Sequence, residues 1–187
     1  MKSCILMRHG ATDMAGRFCG HSDPPLNDEG RRQIERAASL LTIAPQVVYT
    51  SDLLRARESA ASLAEHFSIP LFVRPSLREI DFGEWEGLSW QEVEQRFPTE
   101  SATWIERFPA GIVPSGEQYD AFVKRVKHEM SFLHALAQSH ALVAVTHGGL
   151  MRTALIELYN APASEAFRLT AEYGAIIDLS QLHLGPA

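Results

Sequence analysis

Arginine and histidine side chains stand at the ends of three apolar segments. Arg8-His9-Gly10 follows the first segment, Arg55 comes shortly after the second, and His147-Gly148-Gly149 follows the third. Arginine presents fixed, forked donors that match phosphate oxygens. A neutral histidine can attack phosphorus, and a second, protonated histidine can stabilise the oxygens as charge shifts. Together these residues predict a site for one dianionic phosphoryl group.

Phosphoryl transfer to an imidazole also needs a proton donor for the leaving oxygen. Glu79 and Asp81 are the candidates for that role, although either could be an ordinary loop charge. Each of the other signals is also weak on its own. The triplet Arg-His-Gly often occurs by chance, and Arg55 could be a solvated helix residue. We expect Arg57 to be such a solvated residue. The prediction of a phosphoryl site depends on their occurrence together.

The elements that must position these side chains alternate between apolar runs and helical patterns. Residues 4–7, 47–49 and 141–145 are apolar throughout, as in strands of a sheet that is covered on both faces. Helical spacing of apolar residues follows around residues 34–41, 60–67 and 122–133. The alternation predicts a three-layer α/β/α sandwich with a mostly parallel central sheet, whose site lies at the carboxyl ends of the strands.

Residues 79–120 interrupt this alternation and are rich in Trp, Glu and Pro. We expect them to form an insertion over one edge of the sheet, which would cover the substrate. Ser89 and Glu92 form a capping-box pattern that predicts a helix start within it. Trp85, Trp90 and Trp104 could line a substrate pocket, but simple packing explains them equally well.

The bulk composition indicates one globular domain over residues 1–187. The formal net charge of −6 argues against nucleic acid and anionic membranes as partners, and no apolar run approaches the length of a membrane span. Cys4 is expected to be a buried thiol, and two cysteines in a chain of 187 residues make the reducing cytoplasm the expected compartment. Whether the chain forms a homo-oligomer is left open by its sequence.

No metal site or cofactor is predicted. Outside the candidate site the histidines show no ligand spacing, and His9 and His147 are far apart in the sequence, which disfavours a zinc-dependent hydrolase. Surface positions or partial burial are expected for the remaining histidines, which are His21, His66, His128, His134, His140 and His183.

Several segments carry a resemblance to a known family. Residues 5–12 (ILMRHGAT) resemble the opening motif of the histidine phosphatase superfamily, which has the phosphoglycerate-mutase-like fold. The resemblance continues in family order through residues 17–30, 50–56, the stretch around Glu79, 114–117 (PSGE) and 145–149 (VTHGG). Each segment alone is weak, but together they are highly specific.

The resemblance implies roles for five residues. His9 is then the nucleophile that becomes a phosphohistidine, and Arg8, Arg55 and His147 form the phosphate pocket. Glu79 protonates the leaving alcohol and afterwards activates water. Metal is not required in this scheme, because the cationic side chains neutralise the phosphoryl charge.

Further contacts and departures follow from the same resemblance. Arg17 is expected near the mouth of the pocket, and Thr12 and Gly148 are possible substrate contacts. Relatives commonly carry Asn at the position of Ala15, so one polar contact to the phosphoryl group is absent or comes from elsewhere. Ala11 replaces a frequent Glu. Neither change removes a catalytic residue.

The residues after Glu79 distinguish between branches of the family. Mutases that act on phosphoglycerate carry Glu-Arg-His-Tyr-Gly there, whereas this chain has Ile80, Asp81 and Phe82 after Glu79. A substrate carboxylate would meet a like charge and no donor, which disfavours a mutase. Residues 81–87 (DFGEWEG) are instead similar to α-ribazole phosphatases. The preferred function is a small-molecule phosphomonoesterase, with α-ribazole 5′-phosphate as the leading substrate. A mutase ranks next and a catalytically silent phosphate-binding module last.

Overall fold

A computed structural model describes residues 2–111 and 113–182, so His183 lies outside the described residues. Within them the chain forms five strands and seven α-helices. In chain order they are β1 (Cys4–Arg8), α1 (Asp28–Leu40), β2 (Val47–Thr50), α2 (Leu54–Phe67), β3 (Leu71–Val73), α3 (Trp90–Arg96), α4 (Pro98–Arg107), α5 (Tyr119–Leu136), β4 (Leu142–Thr146), α6 (Gly148–Tyr159), α7 (Ala163–Thr170) and β5 (Ile176–Asp178). None of the described helices is both long and apolar enough to cross a membrane.

The strands form one sheet in the order β3-β2-β4-β1-β5. All neighbours pair in parallel except β5, which runs antiparallel to β1 along one edge. In the central pair, Cys4 is opposite Leu142 and Arg8 is opposite Thr146. The mostly parallel sheet predicted from the apolar runs is confirmed. The three-residue strands β3 and β5 were not predicted from the sequence.

Helices cover both faces of the sheet, and successive side chains of each strand point to opposite faces. Cys4 and Leu6 of β1 pack in a core with apolar residues of α5, α6 and α7. Ile5 and Met7 pack in a second core with α1 and α2. Full burial of a large apolar side chain contributes about 1.5–3 kcal/mol, so these two cores hold the strand ends in place. The predicted three-layer α/β/α sandwich is therefore confirmed, and Cys4 is buried as expected.

Residues 79–118 carry a small aromatic core of their own. Trp85, Val93 and Val113 are buried there, and Phe18 and Trp104 are among the partly buried side chains packed against them. The side chain of Ser89 accepts from the backbone N–H of Glu92, and the Glu92 carboxylate accepts from the N–H of Ser89, so the predicted capping box is present. Trp85 is fully buried and therefore serves packing. The division into one domain with a substrate-covering insertion stays a prediction.

Candidate active site

Three neighbouring strand ends bring the predicted residues together. β1 lies beside β4, and β4 lies beside β2, so the segments that follow these strands meet at one edge of the sheet. The backbone N–H of His9 donates to the carbonyl of Thr146 at 3.0 Å. This contact sets His9 next to His147, and their ring centroids are 4.9 Å apart.

The hydrogen bonds of His9 define its neutral tautomer. Nδ1 lies 2.7 Å from the carbonyl oxygen of Gly10, which can only accept, so Nδ1 carries the proton. Nε2 accepts from the Nε–H of Arg55 at 3.2 Å and therefore presents a lone pair. Burial holds the pKa of His9 well below its usual value, and the charges of Arg55 and Arg8 lower it further. His9 is thus a neutral imidazole at neutral pH.

Glycine at position 10 permits a close approach of backbone behind the nucleophile. A Cβ at Gly10 would lie 2.3 Å from the carbonyl oxygen of Gly30 in α1. The adjoining Ala11 carbonyl accepts from the N–H of Asn27, whose side chain caps α1. The loop after β1 is therefore packed directly against the first turn of α1.

Arg55 is fully buried in the first turn of α2, so it is not a solvated helix residue. Its Nη1 donates to the carbonyl of Ser22 at 2.7 Å. Its Nη2 donates to the carbonyls of Cys19 and Gly20 at 3.0 and 2.8 Å. With Nε on His9, four of its five N–H donors are engaged. Arg57, by contrast, is exposed as expected.

A carboxylate that the sequence did not single out holds the loop that binds Arg55. Glu86 accepts from the backbone N–H groups of Gly20, His21 and Ser22, at 2.7–3.1 Å, and from that of Phe82 at 3.1 Å. Burial raises the pKa of Glu86, but these hydrogen bonds outweigh it and leave the pKa below its usual value. The loop is thus held by a carboxylate on its N–H groups and by a guanidinium on its carbonyls.

Arg8 is held on the other side of His9. Its Nη1 donates to the carbonyls of Thr170 and Ala171, while its buried Nε has no partner among the described residues. The guanidinium lies 4.1 Å from the ring centroid of Tyr173. Burial lowers the pKa of Arg8, although the side chain remains charged because it starts from so high a value.

His147 is fully buried, and neither of its ring nitrogens has a hydrogen-bond partner among the described residues. Burial, followed by the neighbouring His9, Arg55 and Arg8, holds its pKa well below the usual value. A protonated His147 is therefore not a property of the anion-free site. A bound dianion would favour the charged form and raise its pKa.

Glu79 is 8% exposed, and its carboxylate contacts the backbone at the first turn of α6. Its Oε2 accepts from the N–H of Gly149 at 2.8 Å, and its Oε1 accepts from the N–H of Ile80 at 3.0 Å. A Cβ at Gly149 would lie 2.3 Å from Oε1, so the carboxylate needs glycine there. Asp81 is used elsewhere: it accepts from the N–H of Gly83 at 2.8 Å, outside the lining of the open pocket.

The open pocket at this edge of the sheet contains most of the predicted residues. Arg55 and His147 lie behind it, enclosed by the protein. The predicted residues among its lining are Arg8, His9, Thr12, Arg17, Glu79 and Gly148. Arg17 is at the exposed mouth, where its Nη1 contacts both the Glu92 carboxylate and the Gly87 carbonyl at 2.8 Å. Ala15 is exposed and outside this lining.

The lining also contains residues that were not predicted from the sequence for the site, among them Arg152 and Tyr173. Arg152 borders the pocket from the second turn of α6, and its buried Nε has no partner among the described residues. It follows Gly149 by three residues on one helix face, a spacing that could have indicated it. Tyr173 lies in the segment before β5, with its ring centroid 5.7 Å from that of His9. The position of Tyr173 depends on the pairing of β5 with β1 at the edge of the sheet, which was not predicted from the sequence.

The described residues contain no group of three or more His, Cys, Asp or Glu side chains arranged to hold a metal ion. The cations of the site are instead arginines: Arg8 and Arg152 at the pocket, Arg17 at its mouth and Arg55 beneath it. This arrangement suits a small anion, because arginine binds phosphate oxygens through fixed donors.

Comparison with protein families gives a match over residues 4–185 to the histidine phosphatase superfamily, branch 1. The chain belongs to this superfamily. The resemblance read from the motifs is thereby confirmed, and the fold is the one expected of a histidine phosphatase.

Individual relatives of this histidine phosphatase include enzymes with two kinds of substrate in their names. The adenosylcobalamin/α-ribazole phosphatase of Salmonella typhimurium is 31% identical, over 90% of this chain and 85% of that protein. A metal-independent phosphoserine phosphatase of Arabidopsis thaliana is also 31% identical, over 86% of this chain and 70% of that protein. The crystal structure of the α-ribazole phosphatase from Shigella flexneri superposes with a TM-score of 0.78 at 26% identity, covering 89% of this chain and 84% of that one.

Proposed function

We propose that this histidine phosphatase hydrolyses small phosphomonoesters through a phosphohistidine on His9. The observation that carries the proposal is the neutral His9, whose Nε2 lone pair lies in a buried site between Arg8, Arg55 and His147. Nε2 attacks phosphorus, the bond from phosphorus to the leaving oxygen breaks, and Glu79, acting as the general acid, gives a proton to that oxygen. Water then attacks phosphorus as Glu79 takes a water proton, and the N–P bond breaks to release phosphate.

The contact of Arg55 with His9 links binding to the first step. In the free site the Nε–H of Arg55 points to the lone pair of His9 Nε2. Once that lone pair bonds to phosphorus it can no longer accept, and the Nε–H becomes available to a phosphoryl oxygen. One Nη1 hydrogen is also unengaged. The stabilisation by Arg55 thus increases as the N–P bond forms, which is the condition for a faster chemical step.

His147 completes the charge balance. Its two unpartnered ring nitrogens lie beside the nucleophile, and arrival of a dianion would favour its protonated form. Burial makes each such contact stronger than it would be in water. Together with the arginines, it supplies the positive charge that a metal ion provides in other phosphatases. We therefore propose that the enzyme needs no metal, as the name of the Arabidopsis relative states for that protein.

For the substrate we propose α-ribazole 5′-phosphate first. The relatives from Salmonella and Shigella that bear this name support it, and both are covered over more than four fifths of their length. A phosphoglycerate mutase is disfavoured because Ile80 and Phe82 line a largely apolar cavity beside the phosphate pocket, where a substrate carboxylate would find no donor from them. The two cysteines are free, which supports the cytoplasm as the compartment.

The direct test is chemical trapping of the intermediate. Incubation with a ³²P-labelled phosphomonoester and denaturing quench should yield protein-bound label that is acid-labile and base-stable, located on the peptide that contains His9. His9→Ala should abolish both the label and the turnover, whereas His66→Ala, on the exposed face of α2, should retain them. Turnover that survives in His9→Ala would contradict the phosphohistidine.

Glu79 as the acid predicts a dependence on the leaving group. Glu79→Gln should slow alkyl phosphates by roughly 100-fold or more, within the usual range for general acid catalysis, and slow p-nitrophenyl phosphate much less, because that leaving group needs little protonation. Asp81→Asn is the matched control and should affect both esters alike. Equal slowing of both esters in Glu79→Gln would show that another group is the donor.

A further inference from the structure

A second cavity adjoins the phosphate pocket on the side of residues 79–118. It holds about 500 Å³ of space free of protein atoms, part of it open to solvent. Its walls are mainly aromatic and aliphatic, and include Ile80, Phe82, Trp104, Phe108 and Ile156. The proposed phosphoryl chemistry uses none of these side chains, so their presence beside the site requires another explanation.

This cavity shares part of its lining with the phosphate pocket. Phe82, Gly149 and Arg152 line both of them. Gly149 also donates to the Glu79 carboxylate, which places the proposed acid at the same boundary. A phosphoryl group bound at His9 would therefore direct its leaving oxygen towards Glu79 and the rest of the ester towards the apolar walls.

Charge at the cavity is confined to this boundary. Among the described residues that line it, Arg152 carries the only charge, and it also faces the phosphate pocket. Its guanidinium lies 4.5 Å from the ring centroid of Phe167 and can contact an ester oxygen through the unpartnered Nε. Farther in, the polar side chains of the lining are those of Tyr119 and Thr153, which carry no charge. A carboxylate or ammonium there would lose its hydration without meeting an opposite charge, which is costly.

We infer that this cavity binds the alcohol part of the substrate, and that the preferred substrates are phosphate esters of uncharged alcohols that carry an apolar ring. The inference rests on the proposed function and narrows its substrate class. It ranks esters whose alcohol part carries a charge, among them O-phosphoserine and 3-phosphoglycerate, below these substrates.

Four alkyl esters with comparably poor leaving groups separate recognition from chemistry: 2-phenylethyl phosphate, glycerol 1-phosphate, O-phosphoserine and 3-phosphoglycerate. Burial of a phenyl ring predicts a kcat/KM for 2-phenylethyl phosphate about tenfold or more above that for glycerol 1-phosphate. The two charged esters should not exceed glycerol 1-phosphate.

Variants of the wall test whether this cavity causes the preference. Ile156→Trp fills the cavity and should bring kcat/KM for 2-phenylethyl phosphate to within about threefold of that for glycerol 1-phosphate in the same variant. Phe108→Ala, at a residue 37% exposed, removes a wall with little risk to folding and should lower the preference several-fold, by roughly the loss of one ring contact. Ile105→Ala is the matched control, since Ile105 belongs to the same helix as Trp104 but is 59% exposed and outside the cavity.

The outcomes separate this inference from the proposed function. Equal kcat/KM for all four esters, or a preference for a charged one, would overturn the apolar subsite while leaving hydrolysis intact. A preference for the phenyl ester that both wall variants leave unchanged would overturn it as well. If none of the esters is hydrolysed and no label reaches His9, the proposed function fails and the inference fails with it.

Discussion

Replacement of Glu86 by Gln should weaken catalysis although Glu86 lies outside the pocket that holds His9. The carboxylate accepts from the backbone N–H groups of Gly20, His21, Ser22 and Phe82. Glutamine has the same shape but only one accepting oxygen, and its NH2 group would face N–H donors. The loop at residues 19–22 would shift, and its carbonyls would no longer fix the Arg55 guanidinium.

The size of the effect follows from the hydrogen bonds that are lost. A hydrogen bond to a charged group contributes about 1.5–3 kcal/mol, and Glu86 is only partly buried, so about 2 kcal/mol is a fair value. If this loss falls on the positioning of Arg55, kcat/KM decreases roughly thirtyfold, since about 1.4 kcal/mol corresponds to tenfold in rate. The loss should appear in kcat as well as KM, because Arg55 is expected to contact the phosphoryl group more strongly in the transition state.

The assay is steady-state hydrolysis by wild type, Glu86→Gln and the control Glu84→Gln, with thermal unfolding of each protein. Glu84 is exposed and lies two residues away in the chain. Among the described residues its carboxylate accepts only from the hydroxyl of Ser115, at 3.1 Å, so its variant should match wild type. Arg55→Lys completes a double-mutant cycle. The double variant should be scarcely worse than Arg55→Lys alone, because both changes remove the same contact.

Two results would refute this reasoning. One is a Glu86→Gln enzyme with kcat/KM within about twofold of wild type, since a loss of about 2 kcal/mol predicts roughly thirtyfold. The other is full additivity with Arg55→Lys, which would show that Glu86 supports folding in general and not the position of Arg55.

Two further predictions concern groups around the nucleophile. Gly149→Ala should displace the Glu79 carboxylate, because the new Cβ would lie 2.3 Å from Oε1. The variant should therefore hydrolyse alkyl phosphates far more slowly than wild type, with a smaller loss for p-nitrophenyl phosphate. Equal rates in the variant and wild type would contradict this placement of Glu79. His147 has a lowered pKa from burial, so below pH 6.5 the unfolded chain binds a proton that the native chain refuses, and stability falls with falling pH. In phosphate-free buffer, denaturant titrations between about pH 6.5 and 5.5 should give a slope of unfolding free energy against pH that is smaller in His147→Asn than in wild type by up to about 1.4 kcal/mol per pH unit. Identical slopes in the two proteins would refute this expectation.

The central part of the fold could be predicted from the sequence because burial on both faces leaves a simple pattern. β1, β2 and β4 are short apolar runs, and the helices after them repeat apolar residues at helical spacing. The edge strands are different: β3 is also apolar, but it has only three residues, and Phe72 and Val73 are about half exposed, so its pattern does not differ from that of a short apolar loop. β5 depends on antiparallel pairing with a strand more than 160 residues away in the chain.

The candidate site shows the same division between local and long-range signals. His9, Arg55 and His147 come together because each lies close to the end of a recognisable strand. Glu86 and Tyr173 act through backbone contacts and ring placement that only the folded loops create. Residue types and spacing indicate the chemistry at strand ends, whereas the side chains that hold those groups depend on loop geometry.

The order of strands in the sheet has a consequence for synthesis of the chain. β1 is made first, yet it lies between β4 and β5, which are made last. On the ribosome its apolar residues must wait for about 140 further residues before either neighbour exists, and such unpaired strands are prone to aggregate. His9 is thus synthesised before either strand that flanks β1 and reaches its final position only after both have formed. A nascent chain that lacks β4 is expected to have no phosphatase activity, however completely its first helices have formed.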